Sequence, residues 1–254
     1  MGDPARPFYE DLADSYHLIF QDWDQSILRQ ASVLGSLIEG ELPTGRLRIL
    51  DCACGIGTQT LGLAGRGHVL TGTDISAAAI ARARREAQQR SLSIQFDVAD
   101  MCDLSAVSKS AFDVVLAADN AIPHLLTEQD LSRAVQQIFG KLSQGGLFVA
   151  SIRDYDQIVV SHPTMPPPAF FQDGEYRRTY HQVWDWSSDR QYTVHLYITE
   201  ETRIGWNCRH FVSVYRAVLR EELTALLSHA GFVDVRWLMP EESGFYQPLV
   251  LAIG

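Results

Sequence analysis

Four polar side chains recur at equivalent places in this chain. Asp51 follows Leu47-Arg48-Ile49-Leu50, Asp74 follows the run His68 to Thr73, Asp100 follows Val98-Ala99, and Asn120 stands in Asp119-Asn120-Ala121. Each comes after a short β-type run, so each should stand at the carboxyl end of a strand. Ligands of open α/β sheets bind outside those ends. After Asp51 the chain turns through Cys52-Ala53-Cys54-Gly55-Ile56-Gly57 into a helical segment, Thr58 to Gly65. A strand–turn–helix of this kind gathers backbone N–H groups and the positive end of a helix dipole at one spot. Gly55 and Gly57 let a ligand approach the main chain with no Cβ in the way. Asp74 lies 19 residues after Gly55, close to the roughly 20-residue spacing of an acid that takes ribose hydroxyls. These residue types, so spaced, can grip a nucleoside.

The rest of that nucleoside is constrained by charge. A dinucleotide fingerprint wants a third glycine three residues after Gly57, where Thr60 stands. A pyrophosphate would also lie beside the Asp51 carboxylate. A ribose ligand with a cationic amino-acid tail suits an acidic, glycine-bearing turn better, and S-adenosylmethionine (SAM) answers to that description.

Four stretches now stand in order: Asp51-x-Ala53-Cys54-Gly55-x-Gly57-Thr58, Thr73-Asp74, Val98-Ala99-Asp100-Met101, and Asp119-Asn120-Ala121-Ile122-Pro123-His124-Leu125. Together they resemble the class I SAM-dependent methyltransferases, most closely the glycine/sarcosine N-methyltransferase group, from Phe8 to the C-terminal strand. Ala53 replaces the first glycine of that family's turn. The resemblance implies SAM as cofactor, with S-adenosylhomocysteine as product. It implies that Ala53 and Gly55 face the methionine part, Asp74 the ribose, and Asp100 and Met101 the adenine, with Gly57 and Ile75 also at the cofactor. Ala118 and His124 match positions that line the cofactor, although His124 is equally readable as a structural histidine. Tyr16 would come from a lid over the cofactor. Arg29, the only cation between Arg6 and Arg46, is the candidate for the methionine carboxylate; an ordinary surface arginine is the alternative.

At the acceptor end, Arg153 leaves the fifth strand and resembles the family's arginine that clamps a substrate carboxylate. An ion pair with Asp154 or Asp156 is the plainer alternative. Asn120 matches the family asparagine, whose amide oxygen can accept from an incoming amine. Tyr246, near the last strand, completes the catalytic candidates, with Tyr176 and Tyr180 as further wall residues. The family's N-terminal tyrosine is matched by Ile19 or Phe20, which predicts a more apolar acceptor pocket and makes glycine itself a doubtful acceptor.

The elements that must position these residues follow from pattern. Residues 1–45 predict a helical lid: Phe8, Leu12, Tyr16, Ile19 and Phe20 recur at helical spacing, and a second run covers Gln25 to Ile38. Residues 46–152 alternate strands (near 47–51, 68–73, 92–97, 112–118 and 146–152) with helices, one capped by Ser76 and one opened by Thr127-Glu128-Gln129-Asp130. That alternation predicts a doubly wound, mostly parallel Rossmann-like α/β sheet. Residues 153–217 break the pattern. Pro163 and Pro166-Pro167-Pro168 argue against helix, and three alternating runs (Glu175–Trp186, Arg190–Thr199, Trp206–Tyr215) predict a small antiparallel insertion over the substrate site. A contact in a homo-oligomer is the other use of so aromatic a segment. Residues 218–254 predict a helix from Arg220 to Ala230, then an antiparallel pair that completes seven strands.

Composition narrows the partners. A net charge of −10 over 254 residues disfavours nucleic acid, whose phosphates need a basic surface. The Arg82, Arg84 and Arg85 group reads as a solvated helix face. No run approaches the ~20 apolar residues of a membrane span, and Met1-Gly2-Asp3-Pro4-Ala5-Arg6 shows neither a leader core nor a myristoylation motif. Cys52, Cys54, Cys102 and Cys208 have no disulfide or zinc spacing; no metal and a cytoplasmic location are expected. The acceptor is then a small molecule, most simply the nitrogen of a carboxylate-bearing amine. The rivals are O-methylation of a natural product with His124 or His181 as base, and a SAM-binding regulator without turnover.

Overall fold

The computed structural model describes residues 4–43, 45–107 and 111–254; Met1, Gly2 and Asp3, part of the stretch read for a leader, lie outside the described residues. Seven strands form the main sheet: β1 (Arg48–Asp51), β2 (Val69–Asp74), β3 (Gln95–Val98), β4 (Phe112–Ala117), β5 (Leu142–Ser151), β10 (Val233–Leu238) and β11 (Leu249–Ile253), in the order β10-β11-β5-β4-β1-β2-β3. Pairings from β3 through β5 are parallel, and β11 runs antiparallel to both β5 and β10. Both faces of the centre are covered, which explains the apolar run Val114-Val115-Leu116-Ala117 in β4. Val114 and Leu116 pack with Leu34 and Ile38 of α2 (Trp23–Glu41) and Leu63 of α3 (Thr58–Gly65). Val115 and Ala117 pack with Leu131 and Ile138 of α5 (Glu128–Phe139) and Leu223 and Leu227 of α7 (Arg220–Ala230). Each such Leu or Ile contributes about 1.5–3 kcal/mol by its burial.

Local chemistry sets the helix ends. Asp22, Ser76 and Thr127 cap α2, α4 (Ala77–Gln89) and α5 by accepting from the backbone N–H groups of Gln25, Ala79 and Asp130. Gly231, at φ 110°, ends α7 in the left-handed region that glycine tolerates. Among the described residues no helix is long and apolar enough to cross a membrane.

Several expectations need correction. The N-terminal apolar stripe is not one helix: α1 spans Ala5–Leu12, and a separate 3-10 turn covers Tyr16–Ile19. A short helix, α6 (Tyr155–Ser161), precedes the prolines that were expected to exclude helix, and it stops at His162, φ 41°. The insertion has four strands rather than three: β6 (Ala169–Asp173), β7 (Tyr176–Ser188), β8 (Gln191–Thr202) and β9 (Gly205–Arg216), all antiparallel. The last strand begins at Leu249, because the turn α8 (Pro240–Ser243) takes up part of the preceding segment and leaves Tyr246 in a loop.

Candidate active site

The carboxyl ends of β1, β2 and β4 open onto a cavity of about 710 Å3 including its mouth. Tyr16, Ala53, Gly55, Asp74, Ile75, Asp100, Met101, Ala118 and His124 all border it, as do Tyr9, Gln59 and Asp119. Asp74 closes the glycine turn: Oδ2 accepts the Gly55 N–H at 2.8 Å and Oδ1 that of Ser76 at 2.9 Å. A carboxylate has about four acceptor positions, so the backbone does not use up its capacity. Burial pushes the Asp74 carboxyl up to about 6, against the pull of the Ser76, Gly55 and Ile75 N–H groups. Gly55 has φ 53°, and a Cβ there would meet only Cε1 of Tyr16, at 3.7 Å. Asp51 lies beneath the turn, its Oδ2 accepting from the Thr60 hydroxyl at 2.6 Å while Oδ1 is buried with no hydrogen bond. Burial raises this carboxyl to about 7. A cavity-lining acid, a glycine surface and an unpaired buried carboxylate oxygen fit a ribose ligand with a cationic tail.

The lid lies across this cavity. Ala5 and Tyr9 of α1 and Tyr16 of the 3-10 turn form part of its wall. Glu10 reaches the first turn of α4, where Oε1 accepts from Ala77 N at 2.7 Å and Oε2 from Ala78 N at 3.0 Å. Arg82 donates to the Asp14 carbonyl and Arg85 pairs with the Asp14 carboxylate, so that basic group fastens the lid. Arg178 of β7 and Arg209 of β9 hold it from the insertion side, on the carbonyls of Leu18 and Phe20 and on the Ser15 hydroxyl.

Two expected cofactor residues fall elsewhere. Gly57, φ 98°, starts α3, and a Cβ there would press on Leu61 and Ala83, so it serves helix packing instead of facing the cavity. Arg29 is exposed on α2, outside the stripe Trp23, Ile27, Ala31, Leu34 that the helix buries. Gln59, at the N-terminal turn of α3, stands in the cavity wall and donates to Gln30 Oε1 at 2.8 Å.

Arg153 lies under the insertion, behind the wall that includes His124. Its Nη1 donates to the Tyr192 hydroxyl at 2.9 Å and its Nη2 to Gln182 Oε1 at 3.4 Å. The guanidinium lies 4.9 Å from the centre of the Trp184 ring and 5.2 Å from that of Tyr215. Asp154 and Asp156 pair with Arg220, not with Arg153. Among the described residues no carboxylate forms an ion pair with Arg153.

The amide oxygen of Asn120 is already engaged: Oδ1 accepts the Arg153 N–H at 3.0 Å, whereas Nδ2 is buried without a hydrogen bond. The free atom of Asn120 is thus a donor, the reverse of the expectation. Tyr246 is half exposed and donates its hydroxyl to Asp119 Oδ1 at 2.5 Å; Tyr16 donates to Oδ2 at 3.0 Å. Ile19 and Phe20 do not border the cavity, and near Asp119 its surroundings are tyrosine hydroxyls instead of the expected apolar side chains. Tyr180 lies beside Gln182 near Arg153, and Tyr176 is exposed at a hairpin. His124 shares a hydrogen bond with the Tyr9 hydroxyl at 2.9 Å and lies 4.1 Å, ring to ring, from Tyr215. Burial, then the Arg153 charge, pushes it down to about 3, so it is neutral. Asp119 was missed although the strand-end rule that singled out Asp74 applies to it as well. Tyr9, one turn from Ala5 and aligned with Tyr16 seven residues on, was also legible.

Residues 49–146 match the family model described as a methyltransferase domain. The chain is 26% identical over 152 residues to a glycine/sarcosine N-methyltransferase of Parasynechococcus marenigrum (strain WH8102), across 60% of this chain and 52% of the relative. The chain thus spans about half the length of that curated relative. Its fold is similar to the SAM-bound structure of an amino pentose methyltransferase from Micromonospora echinaspora, with a TM-score of 0.74, 20% identity, and coverage of 90% of this chain and 91% of that one. It is similar also to a sugar N-methyltransferase from Streptoalloteichus sp ATCC 53650, with a TM-score of 0.77, 18% identity, and coverage of 95% and 93%. The strand order, the glycine turn and the matched domain together define a class I SAM-dependent methyltransferase fold.

Proposed function

We propose that this chain transfers the methyl group of SAM to the nitrogen of a small amine that carries an anionic group. In this reading Asp74 takes the ribose hydroxyls on the lone pairs that Gly55 and Ser76 leave free. Asp100 accepts from the adenine amino group, with Met101 against the ring. Gly55, Ala53 and the first turn of α3 cradle the methionine part, and Asp51 supplies negative charge beneath its ammonium. When bound, SAM supplies an activated methyl on a sulfonium whose departure leaves a neutral sulfide. What this chain must contribute is placement, and held geometry can account for about 7–11 kcal/mol of a barrier. Tyr9, Tyr16 and the lid keep water from the reacting end.

Arg153 carries the acceptor half of the reading. A largely buried guanidinium without a counter-charge is costly, and two rings, a phenol and an amide offset only part of that cost. An anion on the acceptor would complete the set. The glycine/sarcosine N-methyltransferase relative and the sugar N-methyltransferase fold neighbour both support nitrogen as the methylated atom. The test is labelled SAM with a panel of amines, amino acids, amino sugars and phenols. Arg153→Gln should raise the acceptor's KM at least about tenfold while SAM affinity changes less than about threefold. Equal losses on both would remove the clamp, and binding without any turnover would leave a SAM-binding regulator.

The O-methyl reading has less support. A phenol or alcohol needs a base by the transition state, and His124, held near 3 and bonded to Tyr9, is a weak one. His181 stacks on Tyr197 and alternates along β7 with Gln182, away from Arg153.

A further inference from the structure

Asp119 is the one cavity-lining carboxylate to which the reading above gives no task. It lies at the end of β4 in the left-handed region, φ 59°, and Asn120 follows at φ 65°. Two successive non-glycine residues there form a strained turn, and strain of this kind concentrates where a side chain must be aimed. Hydrogen bonds over-determine the turn. Asp119 N donates to Ser151 Oγ at 2.7 Å, Asn120 N to Ser151 O at 3.1 Å, and Arg153 N to Asn120 Oδ1 at 3.0 Å. Asp119 and Arg153 are thereby fixed on one frame at the ends of two neighbouring strands.

Asp119 borders the cavity, Arg153 stands behind its wall, and no ion pair joins the two. The phenols of Tyr9, Tyr180 and Tyr246 each feel both, Asp119 raising and Arg153 lowering their tendency to hold the proton. No ion pair joins Asp119 to any cation among the described residues. Its partners are two neutral hydroxyls, Tyr16 and Tyr246, which leave acceptor positions open toward the cavity.

We propose that Asp119 is the seat of the acceptor's amino group, and that the acceptor binds as a zwitterion with its ammonium on Asp119 and its anion on Arg153. For the chemistry, this rests on the methyltransfer reading; for the binding, it does not. The ammonium releases one proton to an Asp119 oxygen, which frees the nitrogen lone pair. The N–C bond then forms as the C–S bond breaks, the electron pair stays on the sulfide, and the product nitrogen carries the positive charge. Asp119 is at once the positioning group and the proton acceptor.

The test uses protein saturated with S-adenosylhomocysteine and ligand-observed NMR. Dimethylammonium should bind without displacing acetate, and acetate without displacing dimethylammonium. One member of the ladder sarcosine, N-methyl-β-alanine and N-methyl-γ-aminobutyrate should displace both. Asp119→Asn should weaken dimethylammonium at least about tenfold and leave acetate within about twofold, and Arg153→Gln should do the reverse. Mutual displacement of the two ions overturns the proposal, as does a folded Asp119→Asn protein that keeps dimethylammonium or loses both ions alike. Should Asp119→Asn fail to fold, the wild-type displacement pattern decides alone. Absence of methyl transfer to every ladder member, with the crossed binding pattern intact, would sink the acceptor reading and spare this one.

Discussion

Glu10 caps Ala77: its Oε1 accepts the backbone N–H at 2.7 Å, while Oε2 takes Ala78 at 3.0 Å. A side chain of the first helix thus neutralises the start of the helix that begins two residues beyond Ile75, which borders the cavity. Ser76 caps the same helix from within, so Glu10 is spared for holding the lid. Glu10→Gln should therefore cost only about 0.5–1 kcal/mol of stability. It should weaken SAM about 3- to 30-fold, mostly through faster release. Stopped-flow release against the melting temperature separates the two effects.

Asp74→Asn removes the charge and one of the two acceptor oxygens, so either the Gly55 or the Ser76 N–H loses its partner as well. Two hydrogen bonds to a charged acceptor are worth about 1.5–3 kcal/mol each, so SAM affinity should fall by roughly 100-fold or more. Calorimetry with SAM and with S-adenosylhomocysteine should show the same loss, because the ribose is common to both.

Asp51 and Asp74 make stability and affinity respond oppositely to pH. Both have folded-state values above the ordinary 3.8, at about 7 and about 6. The folded, ligand-free chain therefore holds more protons than the unfolded one between about pH 4 and 7. Its stability should fall as pH rises through that window. SAM binding favours the ionised Asp74, so affinity should rise with pH through about 6. Melting curves and calorimetry across pH 4.5–8 (a range set by those values) check both signs, and Asp51→Asn should flatten the upper part of the melting slope.

Two glycines of neighbouring helices should respond in opposite senses to alanine. At Gly62 a Cβ would lie 2.6 Å from the Ala31 Cβ and 2.8 Å from the Ile27 carbonyl, so α2 and α3 must separate. Overpacking of that kind costs about 1–3 kcal/mol, which exceeds the helix-propensity gain. At Gly40 nothing lies within 4 Å, and Gly40→Ala should stabilise α2 by about 0.5–1 kcal/mol. Denaturant midpoints for the two variants should move apart.

What was legible in the chain is what depends on local pattern. Apolar runs ending in Asp51, Asp74 and Asp100 located the sheet and its working edge, and Ser76, Thr127 and Gly231 marked helix ends whose chemistry is short-range. What was not legible depends on partners distant in sequence. Arg29 satisfied a charge argument, yet it stands exposed outside the buried stripe of α2 and does not border the cavity, its charge reaching Tyr246. The Asn120 amide was read with its oxygen free, because nothing local announces that the Arg153 N–H, 33 residues on, will take it. The aromatic surroundings of Arg153 depend on the β8–β9 register that sets Tyr192 against Tyr215, which alternation alone does not fix.

Arg178 spans two of these parts. From a nearly inaccessible place on β7 it grips Asp173 beside it and the carbonyls of Leu18 and Phe20 across the gap. Lifting residues 16–20 away from the cavity must either withdraw this guanidinium or drag the hairpin's edge along. One side chain therefore couples the first segment of the chain to the hairpin, and neither can shift without the other registering it.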